Sequence, residues 1–333
     1  MNNSAVTKIG SAPSNIALIK YMGKTDYADN RPTNSSLSLT LESLRTKVRI
    51  TRLQDNMASD QWRPLNEEGV IPIHLSEKSQ IRYLKHFQML KEQFGIKDSF
   101  IIESANTFPS DCGLASSASS FAALTSTSIE LFCEISGQSK PSAQVIMNLS
   151  RAGSGSSCRS LVSPWGLWDK DEDVRSIEIP YQNLSHQVVI VEDTKKMVSS
   201  SEAHKRVITS DLFQGRPERA ELRLQNLISA FQKQNWSLAY EITWAEFWDM
   251  HALFETSKPH FGYMTKGSLD VLRTLDHEWQ LRGDGPLVTM DAGANIHLIY
   301  REDQAKIKEE LTEKLTQSYR VYTSNQPQEI SRD

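Results

Sequence analysis

Four short segments carry the residue types from which anion and phosphoryl chemistry can be built. P-S-D-C-G-L-A-S-S-A at 109–118 is a turn that opens into a long run whose only charges, up to residue 136, are Glu130 and Glu134. A helix starting there turns free backbone N–H groups and the positive end of its dipole outward, and Gly113 lets the backbone approach an anion closely. Ser116 and Ser117 add hydroxyls able to reach a phosphate or a magnesium ion. The lysine of a Walker loop is missing, and the plain alternative is a serine cap on an ordinary helix. In R-A-G-S-G-S-S-C-R at 151–159, two glycines and three serines can aim N–H groups and hydroxyls at one point between Arg151 and Arg159. The alternative there is a flexible Gly/Ser linker. S-A-P-S-N-I-A-L-I-K-Y-M-G-K at 11–24 sets Lys20, Tyr21 and Lys24 after an apolar strand, and M-D-A-G-A-N at 290–295 sets Asp291 in a glycine turn after another. A solvated edge lysine and a turn-forming aspartate are the bland readings of those two.

The elements that must hold these segments follow from periodicity. Short alternating or apolar runs at 16–21, 37–41, 46–53 and 99–104 read as strands, with 54–76 irregular between them. Apolar side chains recur at helical spacing over 79–94, closed by Gly95, and helices are expected at 114–136 and 142–151. The nearly uncharged 114–136 helix should be buried. After a polar stretch at 169–186, a strand at 187–191 leads into helical periodicity at 216–234, 236–256, 264–281 and 303–316, with strands at 286–290, 295–300 and 319–323 and a fraying tail at 324–333. Strands and helices intermix without the alternation of a doubly wound sheet, so two α+β domains are expected, divided as 1–185 and 186–333.

Composition bounds the rest. A chain of 333 residues has length for two domains, and 38% hydrophobic residues against 27 Gly plus Pro exclude disorder throughout. With 37 basic and 41 acidic residues, a net charge of −4 and no Lys/Arg block, neither nucleic acid nor a membrane surface is an expected partner. Any polyanionic ligand must therefore meet a local basic pocket. Cys112, Cys133 and Cys158 form no C-x-x-C pair, which argues against a disulfide framework or a structural zinc. Together with an N-terminus lacking a leader pattern, this predicts a cytoplasmic protein. The eight histidines show no zinc spacing, and Trp236, Tyr240, Trp244, Phe247 and Trp248 read as core or as an interface for a homodimer.

Taken in order, the four segments resemble motifs of the GHMP small-molecule kinase superfamily and, within it, the diphosphomevalonate decarboxylases. The likeness extends from A-P-S-N-I-A-L-I-K-Y-M-G-K at 12–24 through P-T-N-S-S-L-S-L-T-L at 32–41, the phosphate loop, 153–159 and a V-S-S turn at 198–200 to D-A-G-A-N at 291–295. Met22 stands where many members carry Trp. The resemblance implies an N-terminal ATP-binding domain of the ribosomal protein S5 domain 2-like type and a ferredoxin-like α+β C-terminal domain. It also implies ATP- and Mg2+-dependent decarboxylation of mevalonate 5-diphosphate to isopentenyl diphosphate. The alternative is a kinase or decarboxylase acting at the C3 hydroxyl of mevalonate or its 5-phosphate. By matching positions, Asp291 lies against the C3 hydroxyl, Arg159 against the carboxylate, and Lys20 reaches the transferring phosphate. Asn15, Tyr21, Lys24, Ser154, Gly155, Ser156 and Ser200 hold the substrate; Pro109, Gly113, Leu114, Ala115, Ser116 and Ser117 wrap the nucleotide, with Ser117 on the metal.

Overall fold

A computed structural model describes residues 6–54, 59–109, 116–171, 173–193 and 196–323. Contacts cluster into two units: one of residues 1–16, 24–33 and 38–177, the other of 17–23, 34–37 and 178–333. Two short stretches of the N-terminal chain thus belong with the C-terminal half.

The first unit is laid out as β1 (Thr7–Ile19), whose last residues pass into the other unit, β2 (Lys24–Asp26), β3 (Arg31–Pro32), β4 (Ser36–Arg52), β5 (Gln61–Pro64), β6 (Ile71–Pro72), α1 (Glu77–Phe94), β7 (Phe100–Asn106), α2 (Ser116–Ser136), α3 (Ala143–Gly153), β8 (Trp165–Trp168) and β9 (Val174–Ser176). Its sheet runs β5-β7-β4-β8-β9, with β1 paired to β4 and β6 to β7. Helix α1 starts at the Ser76 cap and stops at Gly95, whose φ of 67° suits a residue without a Cβ. Its apolar face, with Tyr83, Phe87, Leu90 and Phe94, meets Val48, Ile50, Phe100 and Ile102 from the sheet and Phe121, Leu124 and Phe132 from α2. The nearly uncharged α2 is buried from Ala118 to Thr125 and at most positions on to Phe132, as its composition demands.

Three features differ from the expectations. The runs at 37–41 and 46–53 are one strand, β4, because Leu44 stays fully buried through the polar break at Glu42–Ser43. The region 54–76 contributes β5, parallel to β7, and β6. The Gly/Ser segment is no linker: α3 ends in it, and a 3-10 turn, Gly155–Leu161, follows directly.

The second unit comprises β10 (Ser185–Ile190), α4 (Ser200–Arg206), α5 (Arg216–Gln232), α6 (Trp236–Thr256), α7 (Lys266–Arg282), β11 (Leu287–Thr289), β12 (Ile296–Tyr300), α8 (Ala305–Thr316) and β13 (Arg320–Thr323). Its antiparallel sheet runs β11-β12-β10-β13. Met22 is buried here among Ala203, Val207, Met250, Phe254 and Ala292, a thioether filling an irregular gap. The expected tail at 324–333 lies outside the described residues. Among those described, no helix is long and apolar enough to cross a membrane.

Candidate active site

The second unit brings the early lysine to the late aspartate. Lys20 Nζ lies 2.8 Å from Asp291 Oδ1, with the lysine side chain 2% and the aspartate 29% exposed. Every residue of D-A-G-A-N has a structural task around this pair. The Asp291 carbonyl accepts from Gly293 N at 2.8 Å and faces His251 Nε2 at 3.1 Å. A carbonyl can only accept, so the imidazole carries its proton on Nε2. Burial pulls His251 down to about 3, so the ring is neutral at ordinary pH. The Ala292 carbonyl accepts from Lys196 Nζ. Gly293 makes room for that lysine, since a Cβ there would stand 3.2 Å from Lys196 Cε and Nζ. The Ala294 carbonyl accepts from Ser268 Oγ at 2.8 Å, and Asn295 ties the turn to the end of β10 by accepting from Val191 N and Glu192 N and donating to Glu192 O.

Lys196 is therefore a second ammonium beside the aspartate, and sequence reading missed it; its only signal was a basic pair just before the V-S-S turn. Although exposed as a residue, it has a crowded ammonium end. Desolvation lowers its pKa below the usual lysine range, opposed by attraction to Asp291.

Lys20 is also held through its backbone. Its N–H donates to Glu246 Oε1 at 2.9 Å and its carbonyl accepts from Asn34 Nδ2 at 3.0 Å. Glu246 is fully buried on α6 and pairs with Arg216 and, at 3.0 Å, with Arg223, both on α5. Asp249 extends the network to Arg219. Burial works against ionising Asp249, yet hydrogen bonds from Arg219 and Arg223 and the charge of Arg216 hold its carboxyl below the usual carboxylate range. Glu221 on α5 accepts from Ser35 N at 2.6 Å. Tyr21 is buried with its ring 4.4 Å from that of His204, whose Nδ1 accepts from Gly23 N at 3.0 Å. Ser200 is exposed at the first turn of α4, next to the capping Ser199.

The first unit gathers a different set. Asn15 donates from Nδ2 to Ser160 Oγ at 2.8 Å and to Ser156 O at 3.2 Å. Arg159, 3% exposed, directs Nε and Nη2 at Asn15 Oδ1, each at 3.4 Å, and lies 5.9 Å from the Trp168 ring. Ser157 ties the loop to itself through Ser150 O and Ser154 O. Cys158 is inert: burial pushes its thiol up to about 11, and it donates to Gly155 O. Lys24 donates to Asn30 Oδ1 at 2.6 Å.

Of the nucleotide residues, Gly113, Leu114 and Ala115 lie outside the described residues. Pro109 is half-buried just after β7, and α2 begins at Ser116, with Ser116 half-buried and Ser117 exposed. The first turn of α2 carries no acidic residue. An exposed hydroxyl at the positive end of a 21-residue helix fits phosphate oxygens and the metal that accompanies them. Among the described residues no group of three His, Cys, Asp or Glu side chains gathers to hold a metal.

Two α+β units, a serine-rich loop and a buried lysine-aspartate pair are the marks of the GHMP-type phosphoryl-transfer class. The comparisons narrow the class. The family profile of the diphosphomevalonate decarboxylase-like N-terminal domain matches residues 12–178, and that of the mevalonate 5-diphosphate decarboxylase C-terminal domain matches 187–332. The diphosphomevalonate decarboxylase of Debaryomyces hansenii is 31% identical over 327 residues, covering 90% of this chain and 81% of that one. The crystal structure of a mevalonate diphosphate decarboxylase from Legionella pneumophila is 44% identical, with a TM-score of 0.89 over 95% of this chain and 100% of that one. A structure of MDDEF in complex with MVAPP, AMPPCP and magnesium matches with a TM-score of 0.81 and 28% identity over 96% of each chain. The chain belongs to the diphosphomevalonate decarboxylase family.

Proposed function

We propose that the chain uses ATP and Mg2+ to convert mevalonate 5-diphosphate to isopentenyl diphosphate, ADP, phosphate and CO2, with Asp291 and Lys20 at the reacting hydroxyl. The observation carrying this reading is the 2.8 Å contact between Lys20 Nζ and Asp291 Oδ1, formed by residues 271 positions apart. In the first step the C3 oxygen bonds to the γ-phosphorus, the bond from that phosphorus to the β-phosphate oxygen breaks, and the hydroxyl proton passes to Asp291. A carboxylate is too weak a base to strip an alcohol beforehand. In a loose phosphoryl transfer the proton need leave only as the new bond forms, so orientation and late acceptance suffice. In the second step the C1–C2 bond breaks to release CO2, its electron pair becomes the new C2=C3 bond, and the C3–O bond breaks with phosphate taking the electrons.

Lys20 favours both charge movements, because a buried, oriented ammonium needs no reorganisation when charge develops. Arg159 is the fork for the substrate carboxylate, and Asn15 is its hydrogen-bonding neighbour. Tyr21, Lys24, Ser154, Gly155, Ser156 and Ser200 hold the diphosphate. Pro109 and residues 113–117 hold ATP, and the Ser117 hydroxyl is the protein ligand to magnesium, which neutralises phosphate charge when bound. A cytoplasmic location and a homodimer belong to the same reading, the latter supported by the half-exposed Trp244 and Trp248 on α6. Incubation with ATP, Mg2+ and mevalonate, its 5-phosphate or its 5-diphosphate, following CO2 and phosphate separately, tests the reading. Equal release of both from the 5-diphosphate alone is expected; ADP without CO2 would make the chain a kinase.

A further inference from the structure

The turn joining β2 to β3 contains one of two non-glycine residues with positive φ among those described: Asn30, at 57° and buried. Asparagine tolerates this left-handed geometry better than most side chains, so the position selects for it or glycine. What glycine would lack is the amide, and its placement is unambiguous. Oδ1 faces the Lys24 ammonium at 2.6 Å, while Nδ2 faces the carbonyls of Arg151 at 2.8 Å and Ala152 at 3.2 Å. Donor and acceptor ends each meet the complementary partner, so the amide cannot be turned over.

Those carbonyls belong to the last turn of α3, immediately before Ser154, where helix carbonyls turn to partners outside the helix. Arg151 returns the tie, donating from Nε to Asp29 O at 3.2 Å and from Nη2 to Asp29 Oδ2 at 2.7 Å. The turn is further set by Asp26, whose carboxylate accepts from Ala28 N at 2.7 Å. One side chain thus links the Lys24 ammonium, which also lies 5.7 Å from the Tyr27 ring, to the origin of the 154–159 loop.

We propose that Asn30 is a positioning residue for substrate binding: it holds Lys24 in register with the serine loop, so that ammonium and hydroxyls meet the diphosphate as one preformed receptor. This rests on the reading that Lys24 and Ser154–Ser156 bind that group. Without the link to Asn30 the ammonium would no longer be tied to the α3 end that starts the serine loop, and binding would then have to bring the two into register.

The test is a double-mutant cycle on the full chain. Asn30→Gly keeps the left-handed backbone and deletes the amide. It should raise KM for mevalonate 5-diphosphate about tenfold while KM for ATP and kcat stay within about twofold. In a Lys24→Met background the same change should raise KM no further. Asn30→Asp, which sets a carboxylate against two carbonyls while holding Lys24 as an ion pair, should also raise KM for the substrate selectively; it serves if the glycine variant does not fold. An unchanged KM in Asn30→Gly, equal rises in both backgrounds, or a parallel rise for ATP would overturn the positioning role while leaving that of Lys24 intact. A normal KM in Lys24→Met alone would overturn both.

Discussion

Lys20 and Arg159 are both cations buried to within 3% of full, yet they sit in opposite surroundings. Around Lys20 the second unit uses formal charge: Asp291 on the ammonium, Glu246 on the backbone N–H, and Arg216 and Arg223 behind Glu246. Around Arg159 the first unit gives an amide oxygen and an indole face, within a loop closed by serine hydroxyls and carbonyls. Ion pairs out of water must be complete, because a single missing partner leaves a stranded charge. Neutral hydrogen bonds break at far lower cost and tolerate rearrangement. The lysine nest is therefore held by ion pairs and the serine loop by hydrogen bonds, in keeping with the roles proposed for them, charge stabilisation in the one and ligand recognition in the other.

Breaking the nest at the reacting group should have the largest consequence. Asp291→Asn keeps the shape but removes the proton acceptor and the partner of Lys20. It should lower kcat by about 10³-fold with KM for ATP within threefold, read from CO2 release under saturating substrates. Near-normal turnover would remove Asp291 from the mechanism. Next comes a matched pair of truncations. Glu246→Ala should cost about 3–5 kcal/mol of unfolding free energy by leaving the buried Arg216 only its longer, 3.4 Å contact with Asp249, against about 1–2 kcal/mol for Asn15→Ala in the serine loop. Urea titrations of both variants give the ratio directly, and equal losses would refute the contrast.

The last effect, comparable at pH 4 with the truncations, concerns what the two units share. His86 in the first and His251 in the second are both pulled to about 3, chiefly by burial. Thr125 Oγ spends its proton on Phe121 O at 2.7 Å, so it accepts from His86 Nε2, just as the Asp291 carbonyl does from His251. Both rings are neutral in the fold and protonate near 6.5 when unfolded. Their depressed folded values mean that stability is full above about pH 6.5 and falls as pH drops toward 3, by about 1.4 kcal/mol per pH unit for each group within that window. Unfolding midpoints measured from pH 7 to 4 should decline in wild type, and His86→Gln should flatten the decline by one such contribution.

Much of this was legible beforehand. The Gly95 end of α1, the burial of α2 and the strand before Asp291 follow from local pattern, because cap chemistry and apolar period act over a few residues. The four motifs named both members of the lysine-aspartate pair. Hidden were the links acting across long separations: Glu246 on a helix whose aromatic content suggested core or interface, Lys196 opposite Gly293, and Asn30 beneath α3. A lone Glu or Asn looks the same in a sequence whether it faces water or a buried N–H. The strands of 54–76 were hidden too, since β5 and β6 are short and half-buried, leaving little alternation to read.

Strand β1 starts in one unit and finishes in the other, carrying residues 17–23, Lys20 included, into the C-terminal body. A gene cut at residue 178 would therefore yield a C-terminal fragment without the Lys20 ammonium, and without the backbone N–H groups of Lys20 and Ser35 that Glu246 and Glu221 accept from. Recombination between distant relatives at that apparent seam would have to exchange residues 17–23 and 34–37 as well, so the two halves are bound to be inherited together.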